Sequence, residues 1–388
     1  MSKEIIKVLF IADIGEKGGA SKQLLDLVCG LKKHDDVEIV VVNSKRNAIN
    51  DILTRNNVKN YSISYYPFII PSETGIPRLV LKFMPRVLQY YLFNRKAKRQ
   101  LDKIVDENNI NIIHSYINRV DIGPIVAQKH NITHIWHIHE FGELDYKCIS
   151  LVPKYIRYMN QFKTSYIAIS NAVKNYWQKK GLIGEIDTIY NGVNIELASD
   201  NKKLDFSVLN VVMVGTICET KGQYQLIEAV HLLPQEYIDR MYFTIIGSGV
   251  KAYKKRLKKL VNMYGLNNHI NFVGYKDNIS EELNNYNVGI TASRSEGFGR
   301  VTVEYMAKRI LPVVSNTGAN TELVNHEKTG LVYEYSNVQN LADKLMYIID
   351  NQETCKELVN NAYKVYQSRY TVERYVDNVY EYYRKKTY

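Results

Sequence analysis

Short runs of apolar, β-branched residues alternate with longer amphipathic segments along nearly the whole chain. The runs predicted to be β-strands are residues 7–12, 37–43, 110–114, 134–139, 166–170, 208–215, 242–247, 270–274, 288–292, 313–316 and 330–333. Many of these runs are apolar at successive positions, which is typical of parallel strands covered by helices on both faces. The repeated order of strand, helix and strand therefore predicts an α/β protein with doubly wound sheets.

A polar and charged segment, residues 191–210, interrupts this alternation and is followed by a fresh apolar run. The chain has 388 residues, and single domains commonly contain about 100–200 residues. We therefore predict an N-terminal domain over residues 1–190 and a C-terminal domain over residues 191–365, facing each other across a cleft. The last helix, residues 366–388, is predicted to rejoin the N-terminal domain. Ligands of such sheets bind beyond the carboxyl ends of the strands.

Composition and charge narrow the class of protein. The chain is 45% hydrophobic and 23% charged, as globular proteins are. It has no signal-peptide pattern, and no apolar run approaches the ~18 residues that cross a bilayer. The cysteines are widely spaced without a CxxC pair, which is typical of reduced thiols in a cytoplasmic protein. The net charge of +11 suits an anionic partner.

Three glycine-containing turns lie between a predicted strand and a predicted helix. The first turn contains Gly18 and Gly19, and the second runs from Gly215 and Thr216 to Lys221. Glycines let a ligand approach the backbone, and the free N–H groups of a helix start attract an anion. A lysine there opposes the helix dipole by ~0.3–1 kcal/mol, a cost that a bound phosphate would offset. A plain turn and a solvated lysine are the alternative interpretations.

The third turn has a carboxylate on each side, in the stretch SRSEGFGRVTVEYM at residues 293–306. Glu296 precedes Gly297-Phe298-Gly299, a helix is predicted to start near Arg300, and Glu304 lies about one turn into it. Amides cradle phosphate oxygens, and a carboxylate accepts two hydroxyl groups. The stretch therefore suits a ligand with hydroxyls at both ends and phosphate between them, as in a nucleotide sugar. A helix cap at Glu296 with a surface Glu304 is the alternative.

The longer stretch SRSEGFGRVTVEYMAKRILPVVSNTGANTELVNHEKTGLVYEY resembles the signature of the retaining GT-B glycosyltransferases of glycosyltransferase family 4. Glu296 and Glu304 match the family's glutamate pair, and Glu322 matches its later glutamate. VGTICETKGQYQLIEA resembles the family's phosphate turn, INFVGYKDNI the strand that reaches the base, and IYNGVN the interdomain segment. GEKGGASKQLLDL resembles its N-terminal glycine segment. The resemblance implies a GT-B fold, in which two Rossmann-like domains face a central cleft.

The resemblance also implies roles for individual residues. Glu304 would bind the ribose diol, Glu296 the hydroxyls of the transferred sugar, and Lys221 the leaving diphosphate, on which negative charge grows. The candidate catalytic residues are Glu296, Lys221 and His139. The candidate donor-binding residues are Gly18, Gly19, Gly215, Thr216, Lys221, Gly297, Phe298, Gly299, Arg300, Glu304 and Tyr275. Because the chain has no DxD motif, we expect neither a metal nor another cofactor.

Several positions depart from the family pattern. Thr216 stands where the family often has arginine, Tyr305 where a small residue follows the second glutamate, and Arg309 near a usual glycine. Arg300 or Arg294 could supply the phosphate cation instead. These departures keep open a rival function, in which a GT-B-like protein without activity stabilises another transferase. A sugar-nucleotide epimerase is a further alternative.

The segment THIWHIHEFGE places His137 and His139 on one face of a predicted strand. A metal site is not predicted, since no third ligand has suitable spacing. His139 and Glu140 resemble the family's histidine and acidic residue that face the transferred sugar. His114, at the preceding strand end, resembles a position on the acceptor side. His137 is interpreted as a packed core histidine.

Basic and aromatic residues interleave over residues 76–103, and no acidic residue occurs from Thr74 through Leu101. A basic helix with an aromatic face suits an anionic membrane surface, and a helix whose apolar face is core is the alternative. No nucleic-acid-binding module is recognised.

We therefore expect a cytoplasmic, peripheral-membrane transferase. It would move a hexose from a nucleotide diphosphate sugar, with a UDP-sugar favoured, to a lipid-linked or growing surface glycan such as capsule, exopolysaccharide or lipopolysaccharide.

Overall fold

A computed structural model describes residues 5–13, 15, 19–71, 76–145, 148–199 and 202–387, with side chains from residue 83 onward in the helix that begins at Ile76. The chain divides into two compact units. The first unit is Met1–Gly192 with Val372–Tyr388, and the second is Val193–Thr371. Each unit has its own parallel sheet and its own apolar core.

The first unit is an α/β structure. Its strands are β1 (Ile6–Ala12), β2 (Val37–Asn43), β3 (Lys59–Ser62), β4 (Ile69–Pro71), β5 (Ile112–Ser115), β6 (Thr133–Ile138), β7 (Cys148–Ser150), β8 (Ser165–Ala168) and β9 (Ile186–Thr188). Its helices are α1 (Gly19–Leu31), α2 (Ala48–Arg55), α3 (Ile76–Asn108), α4 (Ile122–His130), α5 (Tyr155–Met159), α6 (Asn171–Lys179) and, at the end of the chain, α15 (Val372–Thr387). The parallel sheet has the order β3-β2-β1-β5-β6-β8-β9, while β4 and β7 pair antiparallel. The strand order therefore reverses between β1 and β5, where ligands of such sheets bind.

Both faces of this sheet are buried, as the apolar strand pattern predicts. On β1, Phe10 packs in a core to which α1 and α15 contribute. Its neighbours Leu9 and Ile11 pack in the opposite core, with side chains from α3 and α4. The alternation follows from the pleat of a strand, since successive side chains point to opposite faces.

The second unit repeats this layered arrangement. Its strands are β10 (Leu209–Val214), β11 (Met241–Ile246), β12 (Ile270–Gly274), β13 (Val288–Thr291), β14 (Leu311–Ser315) and β15 (Leu331–Tyr333). Its helices are α7 (Gln223–His231), α8 (Gln235–Ile238), α9 (Lys251–Met263), α10 (Ile279–Glu282), α11 (Arg300–Ala307), α12 (Asn320–Leu323), α13 (Val338–Asp350), α14 (Gln352–Arg369) and the 3-10 turns Glu219–Lys221 and Leu283–Asn285. The parallel order is β12-β11-β10-β13-β14-β15, so the reversal lies between β10 and β13.

The predicted α/β class with doubly wound sheets is confirmed, and the sequence missed only short or edge strands within the described residues. β3 and β9 lie at the edges of the first sheet, and β4 and β7 contain three residues each. β3, β7 and β9 bury few side chains and carry a weak apolar pattern, whereas β4 buries Ile69 and Ile70 but is only three residues long. The second unit ends at Thr371 and not at 365, because α14 continues to Arg369 and packs on α11 and β14.

Candidate functional site

A pocket of about 190 Å³ lies in the second unit at the carboxyl ends of β10 and β13. It is lined by Met213, Val214, Gly215, Lys221, Ile290, Thr291, Ala292, Ser293, Glu296, Gly299, Arg300 and Val301. The pocket sits where the order of the second sheet reverses, which is the usual ligand position in an open α/β sheet. It brings together residues that the sequence analysis selected from separate turns.

Lys221 and Glu296 form an ion pair in this pocket. Lys221 Nζ lies 2.8 Å from Glu296 Oε2, and the hydroxyl of Ser293 donates to the same oxygen at 2.9 Å. The Lys221 side chain is 34% exposed and that of Glu296 is 16% exposed, so a ligand can reach both. The family resemblance implies contacts of these two residues with different parts of a ligand, and no sequence pattern predicted that they pair. Ser293 was not among the predicted site residues, although it begins the SRSEG stretch.

Two glycine turns bring the loops after β10 and β13 into contact. Gly222 follows Lys221 with a φ of +77°, and a Cβ there would lie 2.1 Å from the carbonyl oxygen of Ala292. The N–H of Arg294 donates to the carbonyl of Thr220 at 2.8 Å. A side chain at position 222 would therefore separate the two loops and with them the ion pair.

Glu304 lies in the first turns of α11, as predicted. Arg300 Nε donates to Glu304 Oε1 at 2.9 Å, one helical turn along α11. Arg300 also lines the pocket, and its Nη1 is buried without a hydrogen-bond partner among the described residues. Arg300 thus connects Glu304 to the pocket and offers an N–H group to an anion or hydroxyl.

Other predicted donor residues lie outside the lining of this pocket. Thr216 is exposed and its carbonyl accepts a hydrogen bond from Gln223 Nε2 at 2.9 Å. The ring of Phe298 is buried and packs edge-to-face on Tyr370, so its side chain serves the core of the second unit. Tyr275 is exposed after β12, two strands away from β10.

The glycine turn of the first unit is described in part. Gly18 lies outside the described residues, and Gly19 begins α1. The hydroxyl of Ser21 donates to the carbonyl of Gly15 at 2.7 Å, which links Gly15 to the first turn of α1. The turn follows β1, beside the strand-order reversal of the first sheet.

Three histidines lie together at the carboxyl ends of β5 and β6. His114 Nδ1 is 2.5 Å from the hydroxyl of Tyr383, and His114 Nε2 is 3.2 Å from His137 Nδ1. The ring of His139 lies against that of His137, with centroids 4.1 Å apart and planes inclined by 34°. Burial lowers the pKa of all three imidazoles, that of His139 to about 3, so they are neutral at physiological pH.

Burial changes the interpretation of His114. The side chain is fully buried between Phe10, Tyr383 and His137, and it cannot touch an acceptor as the sequence analysis expected. His137 is a packed core histidine, as interpreted. His139 is partly exposed and Glu140 lies beside it, paired with Arg119 through a 3.2 Å contact.

The basic amphipathic stretch forms α3, and its described side chains separate into two faces. The buried face, which includes Tyr90, Asn94, Ala97 and Leu101, packs on the first unit. The outer face exposes large apolar side chains, namely Met84, Leu88, Tyr91, Leu92 and Phe93, with exposed fractions between 42% and 70%. Exposed basic residues follow this apolar patch along the helix, namely Arg95, Lys96, Arg99 and Lys103. Within the described residues, no helix is long and apolar enough to cross a membrane.

Two family profiles together match most of the chain. Residues 17–197 match the family described as Glycosyltransferase Family 4, and residues 199–365 match the one described as Glycosyl transferases group 1. An uncharacterized glycosyltransferase of Methanocaldococcus jannaschii is 29% identical over 317 residues, which is 79% of this chain and 85% of that relative. The capsular polysaccharide biosynthesis glycosyltransferase CapH of Staphylococcus aureus is 23% identical over 84% of this chain and 85% of its own length.

A solved structure shares the fold. The crystal structure of Anabaena HepE in complex with UDP superposes with a TM-score of 0.78 at 20% sequence identity. The alignment covers 98% of this chain and 100% of that one.

Proposed function

The chain belongs to the group 1 glycosyl transferases of glycosyltransferase family 4, with the GT-B fold, and we propose that it is a retaining hexosyltransferase acting on a surface glycan. In this proposal the donor is a nucleotide diphosphate sugar, with UDP as the first nucleotide to test. The acceptor is a lipid-linked or growing glycan of capsule, exopolysaccharide or lipopolysaccharide. The capsular relative from Staphylococcus aureus and the UDP bound in HepE support these choices.

The pairing of Lys221 with Glu296 in the pocket between β10 and β13 carries this proposal. An ammonium and a carboxylate at 2.8 Å hold each other in place without a ligand, and both remain reachable. A diphosphate would take the ammonium as its counter-ion, and the freed carboxylate would accept hydroxyls of the transferred sugar. Glu304 would bind the ribose diol, and the amides of 297–299 would lie beside the diphosphate.

The chemistry proposed for these residues is electrostatic. The bond between the anomeric carbon and the diphosphate oxygen breaks, and Lys221 stabilises the charge that grows on the leaving group. The acceptor oxygen attacks from the same face, and its proton passes to a phosphate oxygen of the donor. No protein carboxylate serves as the base. His139, neutral because burial lowers its pKa to about 3, and Glu140 would contribute hydrogen bonds on the acceptor side.

The test is nucleotide release from a panel of UDP-, GDP- and ADP-sugars, with and without detergent-solubilised lipid-linked saccharides. Glu296→Gln and Lys221→Met are each expected to lower turnover about 10²–10³-fold, as loss of a charge-stabilising group does. The matched controls are Glu357→Gln on α14 and Lys255→Met on α9, which change exposed side chains and should retain the wild-type rate. Retention at the anomeric carbon is read from the product by NMR.

Three results would count against this proposal. An inverted product contradicts the retaining mechanism. Conversion of the donor without an acceptor and without nucleotide release, so that the product keeps the nucleotide, indicates an epimerase. No release from any donor, with weak binding unchanged in both site variants, indicates a non-catalytic partner of another transferase.

We also propose that α3 attaches the enzyme to an anionic membrane, on the inner, cytoplasmic face. Exposed apolar side chains would enter the headgroup region, while the basic residues that follow them would contact lipid phosphates. Each basic residue near such a surface contributes about 1 kcal/mol. We expect the wild-type protein to bind vesicles that contain 30% phosphatidylglycerol and not to bind vesicles of phosphatidylcholine alone.

The matched variants lie on one helix. Leu88→Ser combined with Leu92→Ser is expected to lower vesicle binding about tenfold, whereas Gln89→Ser is expected to leave it unchanged. Equal binding of the double variant, or equal binding to both kinds of vesicle, would exclude this surface as the membrane contact.

A further inference from the structure

In the second unit, β10 and β13 diverge at the pocket that contains Lys221 and Glu296, the candidate donor site. β10 and β13 are neighbours, but their pairing covers only Val211 with Val288 and Val212 with Gly289. Both strands continue beyond these pairs, and their last residues line the pocket. Divergence of two neighbouring parallel strands leaves backbone groups without ladder partners, which must be satisfied in another way.

Tyr305 occupies this divergence. Its side chain is fully buried, and its hydroxyl oxygen accepts the N–H of Val214 at 3.1 Å. The hydroxyl also lies 3.4 Å from the carbonyl of Val212, to which it donates. Burial raises the pKa of Tyr305, so the hydroxyl keeps the proton that it donates.

Gly289 provides the space for this tyrosine. A Cβ at position 289 would lie 2.4 Å from Cδ2 of the Tyr305 ring, so any other residue would displace the ring. Tyr305 stands where the resembling family usually has a small residue, directly after Glu304. In this chain the larger side chain and the glycine in β13 are therefore complementary.

We propose that Tyr305 is a positioning residue of the donor site, which fixes the backbone of Val214 and Gly215 to the helix that carries Glu304. The residue does not line the pocket, and it acts through the main chain that begins the phosphate turn. One hydroxyl thus connects the wall expected to hold the diphosphate to the helix expected to hold the ribose. The inference rests on the proposed function of this pocket.

Removal of the hydroxyl alone tests this inference. Tyr305→Phe keeps the ring and is expected to raise the donor KM and the nucleotide Kd about 3- to 10-fold, the worth of one hydrogen bond. The kcat at saturating donor should stay within about twofold, because the residue does not touch the reacting atoms. The matched control is Tyr366→Phe, a buried tyrosine in the same unit whose hydroxyl donates to the carbonyl of Val193 at 3.1 Å.

Hydrogen exchange provides a readout that does not depend on activity. The Val214 amide should exchange faster in Tyr305→Phe than in the wild type and in Tyr366→Phe. Gly289→Ala, which displaces the ring, should reproduce both the faster exchange and the weaker nucleotide binding.

Each outcome decides a separate point. If the Val214 amide exchanges at the same rate in Tyr305→Phe as in the wild type, the hydroxyl does not form the inferred hydrogen bond. If the amide exchanges faster but the nucleotide Kd and the donor KM are unchanged, Tyr305 is not a positioning residue. If UDP, GDP and ADP all fail to bind the wild type by calorimetry, the proposed donor site fails and the positioning role fails with it. In that case, faster exchange at Val214 still shows that the hydroxyl holds the strand.

Discussion

Acidification should destabilise the first unit at a pH where most globular proteins are stable. His114, His134 and His137 are buried in this unit with exposed fractions of 0%, 2% and 0%. Burial lowers the pKa of each imidazole, that of His134 to about 3. In the unfolded chain the same groups titrate near a pKa of about 6.5. Below that pH the unfolded state binds more protons, so stability falls as the pH falls towards the folded-state values.

The magnitude follows from the number of protons taken up. Each of these three histidines contributes about 1.4 kcal/mol per pH unit below about 6.5, or about 4 kcal/mol per unit together. His139, whose pKa is also lowered to about 3 but whose side chain is partly exposed, adds a smaller loss in the same direction. Asp121 acts in the opposite direction, because burial raises the pKa of its carboxyl and the folded state binds that proton first. Between pH 7.0 and 5.5 the net loss is roughly 2–4 kcal/mol, a large part of the 5–15 kcal/mol that stabilises a typical domain.

The chain contains a probe for this unit alone. Both tryptophans, Trp136 and Trp177, are buried in the first unit, so tryptophan fluorescence during urea unfolding reports on it. His134→Gln removes one titrating group and should reduce the pH slope by about 1.4 kcal/mol per unit. The control His231→Gln lies in the second unit and should leave the slope unchanged. A free energy of unfolding that changes by less than about 1 kcal/mol between pH 7.0 and 5.5 would refute this reasoning.

Three further predictions concern the second unit. Gly318 has a φ of +54°, and a Cβ there would lie 2.3 Å from the carbonyl oxygen of Glu296. We expect Gly318→Ala to displace Glu296 and weaken nucleotide binding at least about tenfold by calorimetry, and unchanged binding would contradict this. Arg309 has a φ of +51°, stacks 4.3 Å above the Tyr363 ring and donates to Asn360 at 3.1 Å. Arg309→Ala should lower the free energy of unfolding by about 1–3 kcal/mol. Arg309→Gly should lower it by less, because glycine relieves the backbone strain, and equal losses in the two variants would argue against that strain. Finally, transfer measured in excess EDTA should stay within about twofold of the untreated rate, because in the proposed mechanism Lys221 takes the place of a metal ion at the diphosphate. A loss restored by Mg²⁺ or Mn²⁺ would contradict that proposed role.

Local features of the site could be predicted from the sequence because they depend on a few neighbouring residues. The strand, the turn and the helix around Glu296 and Glu304 follow from an apolar run, two glycines and a helical period of 3.6 residues. The strand periodicity likewise placed His137 and His139 on one face. The doubly wound class follows from the same alternation, repeated along the chain.

The contacts that complete the site depend on the order of strands and on long-range packing. Lys221 and Glu296 are 75 residues apart and meet because β10 and β13 are neighbours at the reversal of the sheet. His114 meets Tyr383 across 269 residues because α15 packs on the first unit. Sequence patterns carry little information on such pairs, since any surface lysine or strand histidine has the same local pattern.

The long basic helix shows the same division between local and tertiary information. The sequence determined that α3 is amphipathic and basic, and left open whether its apolar residues are core or surface. The tertiary structure decided that both descriptions apply, with Ala97 and Leu101 in the core and Leu88 and Leu92 exposed on the other side. A helix repeats every 3.6 residues and can be apolar on two faces, and only the packing of the unit determines which face it covers.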